Sequence, residues 1–190
     1  MYATVVFFSI VATLVLMGVH LALRGGRERP APPVGVVSRL IYLLVLLSTL
    51  LAAASAWGPI LRGQTMRGWA LLAHSSAAGL LIVSLTSLVA IWAGGCRIAA
   101  EPDDRGRAFT LGTRLAFTLA AVAGLLVILS ALLPMTPLFG THEQELLIQT
   151  HRYAGLGLVL ALMVHRYLLW LAQRRSRATK GAVQHEATTA

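Results

Sequence analysis

The sequence predicts an all-α integral membrane bundle of five transmembrane helices, N-terminus outside and C-terminus in the cytoplasm. Three observations carry that expectation. Of 190 residues, 57% are apolar and 12% charged, whereas soluble domains carry roughly 25% charge, so a soluble fold of this size could not cover its surface. The same apolar content excludes a disordered chain, which requires low hydrophobicity. The apolar residues gather into five runs, and the basic residues behind the formal net charge of +9 gather between alternate runs.

A helix needs about 20 apolar residues to cross the hydrocarbon layer. The spans expected on that measure cover residues 2–23, 40–60, 68–95, 115–133 and 146–172, within one helical domain over 1–173 and ahead of a basic polar tail over 174–190. The first run ends at Arg24 and has no basic segment before it. It also exceeds the ~7–15-residue apolar core of a signal peptide, so it reads as a true span. The second lies uncharged between Arg39 and Arg62, and the third between Arg67 and Arg97. The fourth follows Arg114 and ends near Pro134; the fifth alone holds charges inside, Arg152 and Arg166. Breakers separate them: Gly25-Gly26 with Pro30-Ala31-Pro32-Pro33, Gly58-Pro59, Glu101-Pro102-Asp103-Asp104, and Pro134–Pro137.

Cytoplasmic loops carry the excess of Lys and Arg. Segments 24–39 and 97–114 each hold four Arg, and 174–180 holds three Arg and one Lys. The alternate loops hold only Arg62 and Arg67. The charge is therefore mostly topology, and nucleic acid is not an expected partner; membrane lipid is. A single cysteine, Cys96, excludes both an internal disulfide and a Cys-x-x-Cys-His haem attachment. Its place at the cytoplasmic end of the third span suits a reduced, inert thiol.

Chemistry concentrates in the histidines. Of six, His185 lies in the polar tail, while His20, His74, His151 and His165 lie within spans, where ionisable groups are costly and point to function. His74 follows Arg67 by seven residues and His151 follows Glu145 by six, which sets both about 9–11 Å below the outer charged boundary. Two neutral imidazoles at matched depth on different helices can ligate one haem iron from its two faces. His165 follows His151 by fourteen residues, on nearly the same helix face and roughly 21 Å deeper. The sequence echoes itself there, His151-Arg152-Tyr153 and His165-Arg166-Tyr167. A second, inner haem would use His165, with His20 as its other ligand and Met17 as the substitute.

Other residues suit the same cofactor. Gly79 and Gly155 would let a flat macrocycle approach the backbone, although small residues also serve ordinary helix packing. Arg152, Arg166 and Arg67, with Arg62, could pair haem propionates, or snorkel to the interface. His142 and Glu143, just above His151, could exchange a quinol proton; Thr141 with the following acids also makes an ordinary helix start. No acidic residue lies inside a span, and the distance between His151 and His165 forbids one shared ion. That disfavours zinc and a proton-driven transporter.

With those residues in view, the His74-Ser-Ser-Ala-Ala-Gly79 helix and the His151-Arg-Tyr-Ala-Gly…His165 span resemble the di-haem b-type cytochromes that serve as membrane subunits of nickel–iron hydrogenases and formate dehydrogenases. The five-span layout is also similar to the membrane subunit of respiratory nitrate reductases. The chain departs from the four-helix pattern by an extra span between the His20 and His74 helices. The resemblance implies two stacked bis-histidine haems b, with one as the alternative, and electron transfer across a bacterial cytoplasmic membrane between the quinone pool and a partner subunit, an iron–sulfur protein or cytochrome c. It implies the electron-transfer subunit of an oxidoreductase complex rather than a complete enzyme. The readings from other classes are a haem-free structural or assembly subunit and a small transporter.

Overall fold

The computed structural model describes residues 35–93 and 111–189, with side chains over 35–91 and 112–171, and helical residues scattered between 5 and 16. The greater part of the expected first span, with Met17 and His20, lies outside the described residues, as do Cys96 and most of the 97–114 loop. Among the described residues every regular element is helical. Four helices are long and apolar enough to cross a membrane. They are α1 (Val36–Leu61), α2 (Trp69–Ala93), α3 (Leu111–Leu132) and α4 (Thr141–Thr189), with a 3₁₀ turn at Leu133–Met135.

The breakers fall where the chain reverses. Pro59 sits in the last turn of α1, and Gly63 follows the helix in the left-handed region at φ 67°, which a side chain would oppose. Its N–H reaches the Ile60 carbonyl at 3.0 Å. Pro134 lies in the 3₁₀ turn that closes α3. Three of the helices, α1, α3 and α4, start before the residues expected, 40, 115 and 146. α1 starts before residue 40 because Gly35 accepts from the Arg39 N–H and the Arg39 side chain stays exposed. α4 starts at Thr141 and runs 49 residues, well beyond 172, because Arg, Lys, Gln and Ala favour helix and only Gly181 interrupts them.

Packing divides the four helices into two antiparallel hairpins. α1 packs chiefly on α2 and α3 chiefly on α4, with far sparser contact across the pairs. The hairpins meet through a core of Tyr42, Val45, Leu81, Leu85, Leu88, Phe117, Ala120, Leu158 and Leu162. Gly124 allows α2 to approach α3, since a Cβ there would collide with the Leu85 side chain. Leucines elsewhere on the four helices point outward, as Leu50 and Leu125 do, which suits a hydrocarbon surround. The protein is an integral membrane protein by this measure.

Candidate functional site

His74 on α2 and His151 on α4 come together. Their ring centroids lie 6.2 Å apart with the ring planes at 74°. Each ring is anchored within its own hairpin. His74 Nδ1 faces the Ala52 carbonyl of α1 at 3.0 Å, and His151 Nδ1 faces the Val127 carbonyl of α3 at 3.1 Å. A carbonyl only accepts, so Nδ1 carries the proton in both rings, and the lone pair of the neutral imidazole belongs to Nε2. This is the arrangement in which metal-ligating histidines are held, one nitrogen on an acceptor and the other toward the metal. Ser55 Oγ and Ser130 Oγ lie near the same Nδ1 atoms, at 3.5 and 3.3 Å.

The spacing fits a shared metal. An imidazole nitrogen binds a metal at about 2.0–2.1 Å and stands about 1.1 Å from its ring centroid, so two rings ligating one ion from opposite sides have centroids about 6.2–6.4 Å apart. No group of three or more His, Cys, Asp or Glu side chains that could hold a metal occurs among the described residues. Two histidines alone leave a bare zinc ion short of ligands. They are sufficient for an iron whose equatorial positions are filled by a macrocycle.

The glycines expected to flank the cofactor do not serve close helix packing. A Cβ at Gly79 or Gly155 meets nothing within 4 Å, so open space borders both helices about one turn beyond the histidines. Gly157, by contrast, lies against Ala123 of α3. Arg67, Arg62, Arg152 and Arg166 are all exposed. His142 and Glu143 are exposed at the start of α4. The Glu143 carboxylate folds back over Gly140, where a Cβ would run into it, beside the amides of the first helical turn.

His165 stands apart, fourteen residues along α4 from His151 and roughly 21 Å away along the helix. It is 1% exposed. Its Nδ1 donates to the Thr113 carbonyl at 3.2 Å, so the tautomer matches that of the other two. Tyr42 and Phe117 pack against its ring, each with centroids 5.7 Å from it. His20, the ligand expected to complete this level, lies outside the described residues.

Reading the residues in order missed Ser55, Ser130 and the carbonyls of Ala52 and Val127. The serines carried a signal, a Ser-x-x-x-Pro spacing that occurs at Ser55–Pro59 and again at Ser130–Pro134. The carbonyls carried none, because every residue has one. No family model, curated protein or solved structure matches this chain.

Proposed function

We propose that this protein is a b-type cytochrome, holding haem between His74 and His151 and passing electrons between the quinone pool and a partner redox subunit. The observation that carries this reading is the paired anchoring of the two imidazoles: each Nδ1–H is fixed on a backbone carbonyl, and the rings stand at the separation that one shared iron requires. A bound haem would supply one-electron redox chemistry at a depth in the membrane that no protein side chain supplies.

The residues of the chain have separable tasks in this reading. Ala52 and Val127 hold the tautomer and orientation of the ligands. Gly155, one turn beyond His151 and near its face, leaves that face open for a flat group, whereas Gly79 is exposed about 140° around α2 from His74. Arg67 and Arg152 are the nearest candidates in sequence to pair its carboxylates, and both are exposed. The charge pattern supports an N-terminus outside, which sets His74 and His151 near the outer surface. There a quinol could release its proton outward, with His142 or Glu143 as the acceptor.

One haem per chain is the stoichiometry this reading favours. The His165 ring packs against Tyr42 and Phe117, whereas the outer pair brings two imidazoles together. The cytoplasmic membrane of a bacterium is the expected location, with the soluble electron donor or acceptor on another chain.

Purification in detergent tests the proposal. The expected result is a dithionite-reduced spectrum with the sharp α band of b-type haem, lost in both His74→Ala and His151→Ala. A colourless preparation reconstituted with haemin that still shows no such band would sink it. The histidines would then be interhelical hydrogen-bond donors of a haem-free membrane subunit.

A further inference from the structure

The surroundings of His74 are repeated around His151. On α1, Ala52 supplies the carbonyl and Ser55, three residues later, the hydroxyl; on α3, Val127 and Ser130 do the same. Each serine donates its own proton back along its helix, Ser55 Oγ to Leu51 O at 2.7 Å and Ser130 Oγ to Leu126 O at 2.6 Å. The remaining lone pairs face the imidazole. The Nδ1–H is therefore shared, with its short branch on the carbonyl and its long branch on the hydroxyl.

The match extends along the chain. Ser38-Arg39-Leu40-Ile41-Tyr42 near the start of α1 corresponds to Thr113-Arg114-Leu115-Ala116-Phe117 of α3. Ala77, Leu81 and Leu85 follow His74 at the spacing at which Ala154, Leu158 and Leu162 follow His151. The α3–α4 hairpin is thus an internal repeat of α1–α2. Most hydroxyls do not survive the comparison: Ser48 meets Ala123, Thr49 meets Gly124, Ser84 meets Ala161, and Ser87 meets Val164. The pair Ser55/Ser130 is kept, and so is Ser38/Thr113, whose Thr113 carbonyl holds His165. At the far level the repeat is broken, with Leu88 in the place of His165.

Resting on the haem reading above, we infer that Ser55 and Ser130 are matched positioning residues, which hold the Nδ1–H edges of His74 and His151 and strengthen both ligands as donors to one iron. An added acceptor on Nδ1–H increases the basicity of the other ring nitrogen, which favours the more positive, oxidised metal. Ser130 is the closer of the two and the more deeply buried, so it has the larger effect.

The full chain, purified in detergent, is titrated potentiometrically after its haem content is measured by pyridine haemochrome. Ser55→Ala and Ser130→Ala are expected to retain haem and to move the midpoint potential positive, Ser130→Ala further, with the shifts adding in the double variant. Ser55→Thr and Ser130→Thr are expected to restore the wild-type potential and the wild-type low-spin resonance. If an alanine variant loses haem, rescue by threonine supports the inference, and failure of that rescue overturns it. Unmoved potentials in both alanine variants overturn the inference and leave the haem reading standing. A haem-free wild type removes both.

Discussion

His74 and His151 face each other at 6.2 Å between ring centroids, and each is tied by its Nδ1 to a helix that the other does not touch through its own. The two hairpins are thereby presented to one another by a pair of imidazoles, while their own packing is largely internal.

A group ligated by both rings would join the hairpins. Removing it, by haem extraction or by His151→Ala, is expected to lower the thermal midpoint of the bundle. Saturation at a thousand times the dissociation constant is worth about 4 kcal/mol. Thermal unfolding of holo and apo protein in the same detergent measures the difference; equal midpoints would show that the ligand contributes nothing to assembly.

The glycines separate cofactor space from helix packing. Gly155→Leu is expected to lose haem while the haem-free bundle keeps its stability, because nothing lies within 4 Å of the added Cβ. Gly124→Ala should do the reverse, since the new methyl meets Leu85. Overpacking of this kind costs about 1–3 kcal/mol, and Leu85→Ala in the same chain should recover part of it. Haem content and thermal midpoint, measured on both variants, decide whether the two roles are distinct.

His165→Leu tests the single-haem reading. The variant is expected to keep its haem ratio and to lose about 0.5–1.5 kcal/mol, because the buried hydrogen bond from His165 to the Thr113 carbonyl is removed. A fall from two haems to one would restore the inner site that the fourteen-residue spacing suggests.

Topology can be read by labelling. In a chain with Cys96 replaced, single cysteines at Gln64 and at Ser176 are expected to react from opposite sides of intact cells or inverted vesicles, Gln64 from outside. Labelling of Gln64→Cys only in inverted vesicles would reverse the orientation assigned from the basic loops.

Much of the architecture was legible because a bilayer imposes a simple rule: runs of about 20 apolar residues must become helices that satisfy their own backbones. The starts of α1 and α4 were less legible, since Arg39 and Glu143 mark where charge begins and helices run on through charge wherever the backbone allows. The depth match of His74 and His151 followed from counting residues, because helical rise is constant.

The sequence by itself determined four spans, the breakers at Pro59 and Pro134, the placing of the basic residues, and the levels of three histidines. Only the tertiary structure decided that α2 and α4 turn those histidines toward one another, that Ala52 and Val127 fix their tautomers, and that Tyr42 and Phe117 enclose His165. The reason is physical. Periodicity along one helix specifies which residues share a face, whereas the partner of that face depends on how two hairpins dock, and a backbone carbonyl leaves no mark in a sequence.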